Sequence, residues 1–346
     1  MKRKMLFLIA LMATFLASCS TSETATRTPT HGAPQPDPTS TATERPVSVD
    51  ITQLNVQNYP RVDGSTSAYP LQITIACRIF ALPCHWLEGD LFDPTRRIGL
   101  EPLLSGSDET VEKLYSIQHN GTHGSYMNLI DGHADIILVA RTPSKDEFQA
   151  AEGAGVVLEV VPVALDAFVF LVNAENPVDD LTLEEIRAIY TGEITQWSDL
   201  GEIVGEIQPY QRNPNSGSQE LMESLVMRGR SMIDSPDMIL MSMMGPINAI
   251  SEDPYGLGYS VYFYATYIFP HERVKRIAID GVYPNSDTIA NRSYPLTTEV
   301  YAVVRQDTSP QSTARLLLNW LLTDEGQGVI AQSGYVPLRG SQLAVP

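Results

Sequence analysis

Short apolar runs alternate with amphipathic segments from residue 59 to the end of the chain, and this alternation indicates an α/β fold. Ser144 and Thr182 each stand three residues before a glutamate, which is the spacing of a helical capping box. Ser309 precedes Pro310, so we expect another helix to begin there. The runs that we predict to be strands are 135–140, 158–164, 167–173, 257–261, 274–279 and 300–305. The neighbouring runs at 158–173 and a return near 294–299 predict a domain boundary.

The first nineteen residues form an export signal rather than part of a folded domain. Lys2, Arg3 and Lys4 precede an apolar run that is too short to span a membrane, so residues 1–18 are predicted to be a signal peptide. The sequence ending at Cys19 resembles a bacterial lipobox, and we expect Cys19 to carry a lipid; an ordinary signal peptide is the alternative. Residues 19–58, rich in Ser, Thr and Pro, are predicted to be a disordered tether. The chain is therefore expected outside the cytoplasm, anchored at the cell surface or in the periplasm.

Charge and cysteine content exclude two classes of protein. The chain carries 23 Lys and Arg against 41 Asp and Glu, a net charge of −18, so we expect no nucleic-acid partner. A small anion is still possible, because a few local donors can hold it. The three cysteines are too few for a disulfide-rich scaffold. A Cys77–Cys84 bridge and two buried thiols both remain open in an oxidising compartment.

Three segments rich in small hydroxyl residues and glycine stand where helices are expected to begin: 63–70, 120–125 and 212–219. Amide N–H groups, the helix dipole and hydroxyl donors suit such a position to an oxyanion. Arg212 adds a planar fork that can grip two oxygens of a tetrahedral anion. Each segment is weak evidence when it is taken alone, because Ser and Gly at a helix start are ordinary capping residues.

The order of seven motifs is more informative than any one of them. The chain resembles PstS-like phosphate-binding proteins of ABC importers over residues 59–340 through DGSTSAYPL, ADIILVARTPSKDE, LTLEEIRAIYTGEITQWSDLG, RNPNSGSQELM, GLGYSVYFYA, YPLTTEVYAVVR and LLTDEGQGVIAQSGYVPL. The resemblance implies a two-lobe, periplasmic-binding-protein-like (type II) α/β fold, each lobe a mixed sheet flanked by helices. Lobe 1 is expected to comprise residues 59–165 plus 295–340, and lobe 2 residues 166–294. It also implies a monomer that binds phosphate or a similar oxyanion without a cofactor and delivers it to an ABC importer permease.

The resemblance also assigns the ligand-binding residues. The first phosphate loop falls on Ser65, Thr66 and Ser67, and the loop of the second lobe on Arg212, Ser216, Gly217 and Ser218. Thr122 and Ser125 occupy the region of a further hydroxyl donor, with a looser match.

One position departs from the family pattern. In phosphate binders an acidic residue after the AD-initiated strand accepts a hydrogen bond from the protonated phosphate and so rejects sulfate, which lacks that proton. Arg141 stands there instead. If Arg141 points inward, it favours a fully ionised anion or leaves selectivity to another acceptor such as Asp63. If it points outward, it is an ordinary exposed arginine. Phosphate is the leading ligand, and sulfate or another tetrahedral oxyanion stays open.

Other functions have less support. The sequence has no Gly-x-Ser-x-Gly elbow and no Ser, His and Asp constellation, so we expect no enzyme and no catalytic residues. His119, His123 and His133 lack the clustered carboxylates or cysteines of a metal site, and we expect exposed histidines and no metal. A tethered anion sensor or adhesion protein on the same fold is the alternative outside transport.

Overall fold

The computed structural model describes residues 49–82, 86–88, 97–100, 108–201 and 204–338. The predicted signal peptide, Cys19 and all but the end of the predicted tether lie outside these residues. No helix within them is both long and apolar enough to cross a membrane. The helices are α1 (Tyr69–Ile79), α2 (Asp108–Tyr115), α3 (Gly121–Ile130), α4 (Lys145–Gly153), α5 (Leu183–Thr191), α6 (Gly217–Leu221), α7 (Gly245–Glu252), α8 (Ser286–Ala290), α9 (Thr313–Leu321) and α10 (Asp324–Ser333). The strands are β1 (Val62–Gly64), β2 (Trp86–Glu88), β3 (Arg97–Leu100), β4 (Ile136–Val139), β5 (Leu158–Asn173), β6 (Asp180–Leu181), β7 (Gln208–Pro209), β8 (Gln211–Arg212), β9 (Ile239–Leu240), β10 (Gly256–Val261), β11 (Val274–Arg276), β12 (Ala278–Ile279), β13 (Thr297–Arg305) and β14 (Val336–Pro337).

Of the three helix starts predicted at Ser144, Thr182 and Pro310, the first two are confirmed and the third is wrong. Helices α4 and α5 follow Ser144 and Thr182 as the capping-box spacing predicts. Helix α9 begins at Thr313 rather than at Pro310, because the Ser312 hydroxyl accepts a hydrogen bond from the Arg315 amide. The Ser312 amide in turn donates to the Ser309 carbonyl over 2.9 Å, so the predicted start is a turn that precedes the helix.

The main sheet is mixed and has the strand order β1-β4-β13-β5-β10-β7, with β11 and β14 also paired to β5. The sequence predicts two strands within 158–173, and this is wrong because β5 is continuous. Leu165 and Asp166, which lie between the two predicted runs, stay paired in register with β13. The predicted strand 274–279 is instead divided, because β11 pairs with β5 and β12 with β6.

Strand β5 joins the two large hydrophobic cores of the described chain. The first core contains Leu71, Ile136 and Trp320 and includes Ala164. The second core contains Phe170 and Trp197 and begins at Leu165. Consecutive residues of β5, Ala164 and Leu165, therefore belong to different cores, and β13 is paired with β5 at this point.

Asp166 lies at this change of core and is only 1% exposed. One carboxyl oxygen accepts hydrogen bonds from the amides of Ala167 and Phe263, at 2.8 and 3.0 Å. The other oxygen is buried without a hydrogen-bond partner among the described residues. Burial raises the pKa of Asp166 to about 7, because the charged form loses its hydration.

Asp166 should make stability depend on pH. Its native pKa lies above its ordinary value of 3.8, so the stabilisation that comes from protonation is complete below about pH 4 and is lost as the pH rises through about 7. The free energy of unfolding should fall with a limiting slope of about 1.4 kcal/mol per pH unit over that window. Asp166→Asn should flatten this contribution in urea unfolding measured at several pH values. Parallel pH profiles for the two proteins would contradict the assignment.

Cys77 lies in α1, where it is buried and forms a disulfide. Cys84 lies outside the described residues, so the Cys77–Cys84 pairing stays a prediction.

Candidate functional site

A cleft of about 510 Å³ lies between loops that lead from the two cores. Eight of the ten predicted binding residues line it: Ser65, Thr66, Ser67, Thr122, Arg212, Ser216, Gly217 and Ser218. The structure thus brings together side chains that are about 150 residues apart in the sequence. Ser125 and Arg141, the other two, do not line this cleft.

Ser65 connects the first phosphate loop to the start of α3, which carries Thr122. Its amide donates to the Leu138 carbonyl over 2.9 Å, and its hydroxyl accepts from the Ala140 amide over 3.1 Å. The same hydroxyl lies 2.7 Å from the Thr122 hydroxyl. Leu138 lies in β4 and Ala140 follows its last residue. The carboxyl end of β4 therefore holds the Ser65 hydroxyl, and with it the Thr122 hydroxyl, at one wall of the cleft.

Asp63 fixes the position of the start of α3 and is 2% exposed. It accepts hydrogen bonds from the amide and side chain of Asn120 (both 2.9 Å), the Ser125 hydroxyl (3.0 Å) and the side chain of Asn128 (2.7 Å). The Gly64 amide adds a fifth bond at 2.7 Å. Ser125 therefore holds α3 against Asp63 rather than facing the cleft. Both carboxyl oxygens of Asp63 already accept hydrogen bonds. The sequence could not reveal the contact between Asp63 and Ser125, since the two residues are 62 positions apart.

Arg212 ends β8 and is only 6% exposed. Its Nε donates to the Leu240 carbonyl over 2.9 Å, and a terminal nitrogen lies 3.3 Å from the Met241 carbonyl and the Asn213 side-chain oxygen. Within the described chain no carboxylate forms an ion pair with it. Burial lowers the pKa of Arg212. A guanidinium that is held by neutral groups beside a cleft still lacks an anionic partner, which a bound anion would supply.

The second wall of the cleft begins a helix. Ser216 is the N-cap of α6, and its hydroxyl accepts a hydrogen bond from the Gln219 amide over 3.2 Å. The helix continues as a π-helix over Met222–Met227. The sequence predicts a helix over 221–226, and the helix starts earlier because the Ser216 cap fixes its first turn at Gly217. At this point the two walls come very close, since a Cβ added to Gly217 would lie 2.5 Å from the Thr122 hydroxyl oxygen.

Arg141 is neither inside the cleft nor exposed, so both alternatives considered from the sequence give way to a third arrangement. It is 5% exposed and forms two hydrogen bonds with Glu147, at 2.7 and 2.8 Å. It lines a neighbouring cavity of about 190 Å³ together with Glu220. The capping box of α4 predicts a role for Glu147 at Ser144, but it gives no sign that the same carboxylate reaches Arg141.

Sequence reasoning missed part of the cleft lining. His119, His123, Asn213 and Met243 also face it, and among the described lining residues there is no carboxylate. The two histidines are predicted from sequence only as exposed residues. Within the described part of the chain no group of three or more His, Cys, Asp or Glu side chains could hold a metal ion.

The model of the PBP superfamily domain matches residues 108–325, which is more than half of the chain. The chain belongs to the PBP superfamily. Among its relatives, protein SphX of Synechococcus elongatus is 25% identical over 236 residues, which cover 63% of this chain and 67% of SphX. Phosphate-binding protein PstS of Pseudomonas aeruginosa is 27% identical over 262 residues, which cover 66% of this chain and 77% of PstS.

Solved structures agree with this PBP-superfamily assignment in fold. A putative phosphate ABC transporter substrate-binding protein with bound phosphate from Clostridium perfringens has a TM-score of 0.60 and 22% identity, covering 82% of this chain and 100% of its own. An ABC-type phosphate transport receptor from Vibrio cholerae has a TM-score of 0.56 and 21% identity, covering 80% and 98%. The predicted resemblance to PstS-like proteins and the predicted two-lobe α/β fold are confirmed.

Proposed function

We propose that this PBP-superfamily chain captures a tetrahedral oxyanion, phosphate, between two lobes and delivers it to an ABC importer permease. The observation that carries the proposal is the buried Arg212 guanidinium, which faces a hydroxyl-lined cleft and has no carboxylate partner among the described residues. The phosphate-binding relatives support the choice of phosphate. Local donors must dominate, because a net charge of −18 repels an anion at long range.

Capture works by closure of the lobes, 59–165 plus 295–340 and 166–294. Hydroxyls of Ser65, Thr66 and Ser67 approach the anion from one side, and Arg212 with residues 216–218 from the other. A ligand stabilises the closed state only through the contacts that it makes with both sides. The change of core within β5 supports this lobe division.

The export signal and the resemblance supply the rest of the proposal. The mature chain acts outside the cytoplasm as a monomer, tethered to the membrane through a lipid on Cys19, and it has no catalytic role. Binding of the anion and its transfer to the permease break no covalent bond. The hydroxyls of the cleft therefore serve as hydrogen-bond donors rather than as nucleophiles.

The proposal is tested by calorimetric titration of the full chain with phosphate, after bound anion has been removed by unfolding and refolding. We expect saturable binding with one phosphate per chain. Absence of binding to both phosphate and sulfate would overturn oxyanion capture and favour a tethered sensor or adhesion protein on the same fold.

Gly217→Ala should weaken phosphate binding about tenfold, because the added methyl group meets the Thr122 hydroxyl and holds the two walls of the cleft apart. The melting temperature without ligand should change little, since opening the cleft relieves the contact. Gly153→Ala is the matched control, because a Cβ there meets no atom within 4 Å. Equal affinity for all three proteins would show that the walls do not need this close approach.

A further inference from the structure

Hydrogen phosphate and sulfate have similar shapes and, near neutral pH and above, the same charge, and they differ by one proton. A site that prefers phosphate therefore needs a hydrogen-bond acceptor where that proton lies. No carboxylate lines the described part of the cleft, Arg141 is turned away toward Glu147, and Asp63 already accepts five hydrogen bonds. The acceptor that the family pattern places after β4 is missing, so another group must take its place.

His123 lies in the first turn of α3 on the wall of the cleft, and its side chain is 32% exposed. Its Nδ1 is 3.1 Å from a carboxyl oxygen of Glu147, whose side chain is fully buried. Asp146, on the same helix as Glu147, lies 3.5 Å from the same nitrogen at the surface. Nδ1 is thus turned toward carboxylates, and the same residue lines the cleft.

The contacts of Glu147 determine which ring nitrogen carries the proton. The carboxylate accepts two hydrogen bonds from Arg141 and one from the Ser144 amide, at 2.8 Å. A carboxylate that is paired with arginine is ionised and can only accept, so Nδ1 of His123 must be the donor in their contact. In a neutral imidazole the second nitrogen, Nε2, then carries a lone pair and no proton.

We propose that Nε2 of His123 accepts the hydrogen bond of the protonated oxyanion and so distinguishes phosphate from sulfate. This inference rests on the proposed oxyanion capture and assigns its selectivity to one residue. Serine and threonine hydroxyls can rotate to donate or to accept, so they do not separate the two anions. An imidazole lone pair that is fixed by Glu147 attracts a P–OH group and repels the bare oxygen of sulfate.

The test compares four anions at about pH 8, where imidazole side chains are ordinarily neutral. Phosphate and arsenate retain a proton there, whereas sulfate and selenate do not. The full chain should bind the first pair more tightly than the second. His123→Leu should weaken phosphate and arsenate binding about tenfold and change sulfate and selenate binding by less than about twofold.

His133→Leu is the matched control, because this exposed histidine lies outside the cleft. It should keep the selectivity of the unmodified chain. Equal weakening of all four anions by His123→Leu would show a merely structural role and overturn the inference, and so would equal affinities for phosphate and sulfate in the unmodified chain. In both cases oxyanion capture itself would stand, whereas failure to bind any of the four would contradict the proposed function.

Discussion

Arg212→Ala should weaken phosphate binding by at least about a hundredfold in calorimetric titration of the full chain. The guanidinium is 6% exposed and is held in place by the carbonyls of Leu240 and Met241 rather than by a carboxylate. Its charge is therefore available to balance that of the anion. Its removal leaves a dianion in a cleft whose other described lining residues include no arginine or lysine. Arg212→Lys should recover part of the affinity, because an ammonium group keeps the charge but not the planar fork.

Arg276→Ala is the matched control for loss of an arginine charge. Arg276 is partly buried, lies over the Tyr262 ring at 4.9 Å and lines a separate cavity of about 280 Å³. It should leave phosphate affinity within about twofold, since it is outside the cleft and bulk solvent screens its charge. An Arg212→Ala protein with full affinity would show that the binding site has been assigned to the wrong residues.

The parts of the site that the sequence predicts are those with local signals. Ser65–Ser67 and residues 216–218 follow strand ends and precede helices, so glycine, hydroxyl and capping patterns are readable within a few positions. Ser125 and Arg141 are also predicted from local sequence. The directions of their side chains, however, are set by hydrogen bonds to Asp63 and Glu147. A partner elsewhere in the fold determines where each side chain points, and motif matching places only the backbone.

The fold shows the same division between local and long-range information. The capping boxes at Ser144 and Thr182 are local and correctly mark two helices. The break predicted within β5 is absent because β13 pairs across residues 165–167, a contact between segments about 130 positions apart. Residue patterns within a strand cannot show which neighbouring strand continues its hydrogen bonds.

Glu147→Leu should lower the free energy of unfolding by about 3–5 kcal/mol, measured in urea. Burial alone lowers the pKa of Arg141, and the hydrogen bonds and charge of Glu147 raise it by more, so its net direction is upward. Without Glu147 the arginine remains charged and buried, with no other carboxylate at hydrogen-bond distance among the described residues.

The double variant Arg141→Leu/Glu147→Leu distinguishes the cost of an unpaired charge from the value of the pair. Replacing both partners removes the buried charges together, so the double variant should be more stable than Glu147→Leu alone. The exposed Arg273–Glu252 pair provides the control, since Glu252→Leu should cost no more than about 1 kcal/mol. If the double variant lost, relative to the unmodified chain, the sum of the two losses of the single variants, the two residues would act independently. The Arg141–Glu147 pair also affects the cleft, because Glu147 accepts the hydrogen bond of His123 Nδ1. The same buried pair therefore determines which nitrogen of His123, the proposed selectivity residue, carries the proton.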